Sequence, residues 1–152
     1  MDFNNELLDA WSLNNKVTLY LLENIDPTWL GAKIQGKGRS IGEQFVHINN
    51  IRSYWIGKVD TKQDLKIDKK YRGDKEKLTN ALNITGDRMM KTLESIFDAG
   101  KIRGYKPHPL AFYSQMISHE SHHRGQIMMT ITRNDLPISK TVNFGLWNWN
   151  NK

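Results

Sequence analysis

The chain has 152 residues, of which 38% are hydrophobic and 25% are charged. This is the composition of a folded globular protein with a single core, and it argues against wholesale disorder. The chain contains no cysteine, which excludes disulfides, thiolate metal sites and a cysteine nucleophile, while its formal net charge of +6 raises the question of nucleic-acid binding.

The positive charge is spread along the chain and does not form one stripe. Much of it lies in residues 57–77, where lysines alternate with aspartates as on a solvated connector. No helical segment shows a basic face interleaved with aromatic residues, and no zinc-finger or RNA-binding signature is present. Nucleic acid is therefore not expected as the main partner, although the charge can attract small anions.

No apolar run approaches the length of a membrane span, so we expect no membrane partner. The first residues, MDFNNELLDAW, lack the basic and then apolar plan of a signal peptide. Together with the absence of cysteine, these features lead us to expect a cytoplasmic protein.

Two amphipathic helices are predicted in the first half of the chain. Apolar residues recur at helical spacing from about Asn4 to Asn24, and Asp26-Pro27 ends this pattern. After a glycine-rich loop, Ser40 and Glu43 stand three residues apart, as in a capping box. The second helix is predicted to run from there to about Val59.

Two more helices are predicted in the second half. Asp74 is a plausible N-cap for the third helix, which should stop at Ala99-Gly100, and the fourth runs from about Pro109 to Asn134. There is no internal repeat and no convincing pair of strands. Residues 1–152 are therefore predicted to form a single all-α domain, a four-helix bundle with long connections whose topology stays open.

Three of the five histidines lie within the segment ISHESHHRGQI. On a helix, His119 and His123 are an i,i+4 pair on the same stripe as Phe112, Met116 and Ile127. Such neighbours are about 5–6 Å apart at Cβ, so both imidazoles can reach one metal ion. His122 points about 80–100° away and is expected at the rim of the site or behind a ligand.

A third ligand has to come from another element. His47 is the histidine of the second helix and lies at the edge of its apolar stripe, whereas His108 precedes the fourth helix and is flanked by prolines. We therefore predict a metal site made by His47, His119 and His123. The alternative is a hydrogen-bonded pair of core histidines, which would have to provide partners for buried ring nitrogens.

The same residues fit the zinc-protease pattern H-E-x-x-H, in which Glu120 would be the base. Downstream support for that pattern is missing, because only Asp135 follows as a further candidate ligand. No strand is predicted that would hold an extended peptide. A metallohydrolase is thus the less favoured alternative.

At HESHHRGQI the sequence resembles the DinB-like family of small bacterial metalloproteins, which includes the bacillithiol transferases. The matching features are the run S-I-x-E-Q-F-x-H around His47, the motif H-x-x-x-H-R-G-Q-I, and the closing G-L-W-x-W. They occur in the order typical of the family, and the resemblance covers essentially the whole chain.

The resemblance implies a four-helix bundle that holds a divalent metal through His47, His119 and His123. Three imidazoles suit zinc and nickel alike, with other first-row ions possible. The resemblance also implies a homodimer and, in members with known chemistry, activation of a low-molecular-weight thiol for transfer to a small electrophile. Three neutral imidazoles leave a coordination position open, as catalytic metal sites do.

Supporting roles are expected for five further positions. Gln126 is expected either to hydrogen-bond a ligand ring or to satisfy local backbone or water, and Glu120 either accepts a proton near the metal or pairs with Arg124 at i+4. Asn14 is expected to be solvated, with a polar cavity as the alternative. Trp147 and Trp149 are expected to cap the core, with closure of the site or a dimer contact as the alternatives.

Three functions remain open at this point. The first is a metal-dependent enzyme that activates a thiol, or water, toward a small-molecule substrate. The second is a metal-binding protein without turnover, such as a stress-response module. The third is a bundle that binds no metal and acts through its surface.

Overall fold

The computed structural model describes residues 2–152. Within them the chain forms five α-helices and no strand: α1 (Phe3–Glu23), α2 (Ile41–Val59), α3 (Lys75–Ala99), α4 (Pro109–Arg133) and the short α5 (Lys140–Gly145). The all-α prediction is confirmed, and the four long helices begin and end within one residue of their predicted bounds.

The predicted helix caps are present. Ser40 and Glu43 form a reciprocal capping box at the start of α2, with N–H···O distances of 2.8 and 3.2 Å. Asp74 caps α3, which ends at Gly100 in the left-handed conformation with φ of 65°. His108 caps α4, because its Nδ1 accepts the N–H of Ala111 at 3.2 Å.

The order of the helices around the bundle is α1, α3, α2, α4. α1 and α2 each pack against both α3 and α4, so these consecutive helices lie diagonally across the bundle. The long segment between them makes this crossing possible. α4 therefore lies between α1 and α2 and can bring its side chains to both.

The core consists of two apolar clusters with a polar layer between them. One cluster surrounds Phe45 and Ile127, and the other surrounds Trp11 and Phe112. The layer contains fully buried polar side chains from all four long helices, namely Asn14, Thr18, Asn49, Arg52, Thr85 and Glu120. Since buried polar groups need hydrogen-bond partners, this layer fixes how the helices align.

The charged connector between α2 and α3 is held against α2 by side chains. Asn50 exchanges two hydrogen bonds with the backbone of Ile67, at 2.9 and 3.0 Å, and Ser53 accepts the N–H of Leu65 at 2.9 Å. A Cβ at Gly42 would overlap the backbone of Arg72, so glycine lets the connector approach α2 closely. Among the helices that the structure describes, we find none apolar enough over sufficient length to span a bilayer.

Candidate metal centre

Three histidines from two helices meet at one place. α2 contributes His47, and α4 contributes His119 and His123 from successive turns. One ring nitrogen from each lies within 4.8 Å of the others, and the Nε2 atoms of His119 and His123 are 3.0 Å apart. His123 is buried, while the other two are partly exposed. This group can hold a metal ion and faces solvent on one side.

Two glutamines set the orientation of the His123 ring. Its Nδ1 lies 2.7 Å from Oε1 of Gln44 and 3.1 Å from Oε1 of Gln126. Amide oxygens only accept hydrogen bonds, so Nδ1 carries the proton and Nε2 has the free lone pair. This is the arrangement by which metal-binding proteins fix a histidine ligand from behind.

The three imidazoles are neutral at neutral pH. Burial lowers the pKa of His47 to about 4, and the Arg39 cation acts in the same direction. Burial also lowers the pKa of His123 to about 4, with the neighbouring histidines adding to the effect, and it lowers the pKa of His119. Metal binding requires unprotonated imidazole, so the cluster is prepared to accept an ion.

The two histidines of α4 are spaced as ligands of one metal ion would be. Two divalent-metal ligands at about 2.0–2.1 Å in tetrahedral geometry stand roughly 3.3 Å apart, close to the 3.0 Å between the two Nε2 atoms. The buried Nδ1 of His119 has no hydrogen-bond partner among residues 2–152. Its Nε2 lies 3.0 Å from that of His123, a distance that also suits a hydrogen bond between the two rings.

Glu120 points away from the histidines into the polar layer. It is 1% exposed, and its two oxygens accept from Nε and Nη2 of Arg52 at 2.6 and 2.8 Å. Asn14 donates to the same carboxylate at 2.8 Å, and Arg124 lies 3.8 Å away. The predicted i+4 pairing with Arg124 is present but is the longer of the two ion pairs. A role of Glu120 as a proton acceptor stays a prediction.

Two expectations about other residues are wrong. Asn14 is fully buried and not solvated, because the buried carboxylate of Glu120 needs a donor there. Trp147 does not cap the core and is 82% exposed, whereas Trp149 packs partly buried against the first cluster. His122 is exposed, with its ring 5.2 Å from that of His123.

Sequence reasoning missed two residues of the site and its surroundings. Gln44 is one turn before His47 on α2 and makes the shorter contact to His123. A glutamine at i−3 from a predicted ligand was the available signal. Nothing in the local pattern indicated that Arg52 is fully buried, since its partners Glu120, Asn15 and the carbonyl of Leu82 are 68, 37 and 30 positions away.

Fold and site together define an all-α bundle with a three-histidine group suited to a metal ion. The sequence matches the model of the DinB family over residues 1–133, and the chain belongs to this family. No curated protein and no solved structure matches closely enough to extend that assignment.

Proposed function

We propose that His47, His119 and His123 are the ligands of a divalent metal ion, zinc or nickel, and that the protein uses it to activate a small nucleophile. The observation that carries this proposal is the convergence of three neutral imidazoles, one of them oriented by Gln44 and Gln126. When bound, such an ion lowers the pKa of a coordinated water or thiol.

The chain's own residues have supporting tasks in this scheme. The glutamines hold the proton on Nδ1 of His123, so that its Nε2 faces the shared space. Arg39 lies close enough to His47 and His119 to lower the pKa of both, so it adds positive potential that attracts an anionic substrate. The partly exposed rings of His47 and His119 leave the cluster accessible from solvent.

We propose a low-molecular-weight thiol as the nucleophile and a small electrophile as its acceptor, in the cytoplasm. The cysteine-free chain has no thiol of its own. In the reaction the thiol sulfur forms a bond to the electrophilic carbon, the leaving group departs with the electron pair of the broken bond, and the thiol proton passes to solvent. The thiol-transfer activity known for members of the resembling family supports this choice.

The decisive experiment is metal analysis of protein purified without a histidine tag. We expect about one zinc or nickel ion per chain, lost in His123→Ala and His47→Ala and retained in the matched control His122→Ala. Thiol transfer is then followed with 1-chloro-2,4-dinitrobenzene and a panel of glutathione, cysteine, coenzyme A and bacillithiol. Absence of stoichiometric metal, with no effect of His123→Ala, would refute the proposal.

A metal-binding protein without turnover is the second candidate. One observation favours it: a pocket of about 430 Å³ lies along the side of α4 that contains Gly125, not the side of the histidines. Stoichiometric metal without transfer to any electrophile would select this candidate. A metallohydrolase is less well supported, because the carboxylate of Glu120 is engaged by Arg52.

We also propose a homodimer, as the family resemblance implies. Light scattering coupled to size-exclusion chromatography should give twice the mass of one chain. A mass equal to that of one chain at micromolar concentration would contradict it.

A further inference from the structure

A pocket of about 430 Å³ lies between α1, α4 and the C-terminal segment. Its walls are mostly apolar and include Met128, Leu146, Trp147 and Trp149. Its size is within the range of small-molecule sites, about 300–1,000 Å³. The pocket therefore has the dimensions and the lining of a ligand site.

The C-terminal wall of the pocket is held in place by close packing on α1. A Cβ on Gly145 would overlap the Tyr20 ring, so glycine lets α5 lie directly against that side chain. The Lys152 ammonium lies 3.8 Å from the centre of the same ring. The wall is thus a packed element of the fold and not a loose tail.

This pocket is separate from the three histidines. Ser121, Gly125 and Met128 form a stripe on α4 at i, i+4 and i+7. Gly125 follows His123 by two residues, which turns it by about 200° around the helix. A molecule in the pocket therefore faces the opposite side of α4 from the metal centre.

The polar part of the pocket is a buried cation, Arg124, whose nearest carboxylate, Glu120, is 3.8 Å away. Arg124 lines the pocket and is 8% exposed. Among residues 2–152, its guanidinium donates two hydrogen bonds, to the hydroxyls of Thr18 at 2.8 Å and Ser121 at 2.9 Å. Both partners are neutral, and a guanidinium has five N–H groups, so donors and charge remain available.

The nearest carboxylate does not neutralise this cation fully. Glu120 lies 3.8 Å from Arg124 but forms its two short hydrogen bonds with Arg52. Two buried guanidiniums thus share one carboxylate, which leaves a net charge of +1 on these three side chains. A buried charge of this kind is stabilised by an anion at hydrogen-bond distance.

We propose that the pocket binds a small organic carboxylate with an aromatic or branched apolar body. The carboxylate accepts hydrogen bonds from Arg124, with the Asn143 amide also at the pocket wall. The apolar body lies against Met128, Leu146 and the two tryptophans. The protein then has two independent sites on opposite sides of α4.

The test compares 2-naphthoate with the neutral 2-naphthamide, which has the same ring system. Binding is measured by isothermal titration calorimetry in buffer with EDTA, so that a metal ion does not contribute. We expect 2-naphthoate to bind about tenfold or more tightly than 2-naphthamide, as charge-assisted hydrogen bonds predict. Equal affinities, or no binding of either probe, would overturn the proposal.

Two variants locate the probe without touching the buried charges. A Cβ on Gly125 meets open space, so Gly125→Leu should fold and fill the pocket, and we expect it to abolish 2-naphthoate binding. Ser118→Leu adds the same side chain at an exposed position of α4 two turns before Gly125, beside a neighbouring pocket that shares only Trp149 with this one, and it should bind as the unmodified chain does. Binding that survives in Gly125→Leu but is lost in Ser118→Leu would place the probe elsewhere and refute the assignment.

Arg124→Gln tests the charge itself. Provided that circular dichroism and thermal unfolding show a folded variant, it should lose the preference for naphthoate over naphthamide while naphthamide binding persists. His47→Ala should bind 2-naphthoate unchanged, which separates this site from the metal centre. Loss of binding in His47→Ala, or a stable dimer that binds neither probe because a second copy fills the pocket, would overturn the proposal.

Discussion

Glu120→Gln is the substitution that best tests the buried polar layer. Glu120 and Arg52 are 1% and 0% exposed and are joined by two hydrogen bonds of 2.6 and 2.8 Å. The amide has nearly the same shape as the carboxylate, so packing is preserved. What changes is the charge, because both Arg52 and Arg124 then lack their shared anion.

The expected loss of stability follows from this geometry. Breaking a buried ion pair by removing one partner costs about 3–5 kcal/mol, since the other charge remains in a medium of low polarity. For a domain of this size each kcal/mol lowers the melting temperature by roughly 2–4 °C. The variant should therefore melt roughly 6–20 °C below the unmodified chain. With a total stability near the middle of the usual range of about 5–15 kcal/mol, it remains folded at room temperature.

Urea unfolding followed by circular dichroism measures this difference directly. The matched control is Glu94→Gln, an exposed position of α3, which should change stability by less than about 0.5 kcal/mol. Folded Glu120→Gln should keep its metal, because Glu120 does not face the histidines. A destabilisation below about 1 kcal/mol would refute the reasoning about the layer, and loss of metal with stability intact would instead favour a direct role of Glu120 at the site.

Three further predictions concern the rest of the fold. Hydrogen bonding to the N-cap backbone and the nearby Lys69 hold the pKa of Glu43 at about 2, so the stability that its carboxylate contributes is complete above pH about 4.5 and is lost as the pH falls toward 2. Glu43→Gln should lower the free energy of unfolding by about 1–2 kcal/mol at pH 7 and flatten this part of the pH profile measured by urea unfolding. Gly86→Ala should destabilise the chain by about 1–2 kcal/mol, since its Cβ would overlap Asn15, whereas the Cβ of Gly125→Ala meets open space and should stabilise the chain by up to about 1 kcal/mol. Melting temperatures that shift in the same direction for both variants would contradict this. Asn50→Ala removes two hydrogen bonds to the α2–α3 connector and should raise the rate of amide hydrogen exchange in residues 60–74, while exchange in α1 stays slow. An unchanged exchange rate in the connector would contradict this.

The helices and their caps were predictable from local sequence, because their hydrogen bonds join residues only a few positions apart. The capping box at Ser40, the N-cap at Asp74 and the left-handed Gly100 are each satisfied by groups within four positions along the chain. The i,i+4 placement of His119 and His123 belongs to the same class, since one helical turn fixes it.

The side chains of the polar layer were not predictable in this way. Asn14 was expected in solvent, and Arg52 was not singled out, because the burial of each depends on hydrogen bonds to distant segments, above all to Glu120 from α4. Trp147 was expected to cover the core, yet it stands exposed at the pocket between α4 and the C-terminal segment. Contacts between distant segments leave no periodic trace in the sequence of either one.

The sequence by itself determined the helix bounds, their caps and the pairing of two histidines on one face, since backbone hydrogen bonding and helical periodicity act over a few residues. Only the tertiary structure decided that α2 brings His47 to that pair, that Gln44 orients His123, and that Arg124 lines a separate pocket across α4. The physical reason is the order of the helices around the bundle, which the packing of their apolar faces and the buried hydrogen bonds select together and which no single segment encodes.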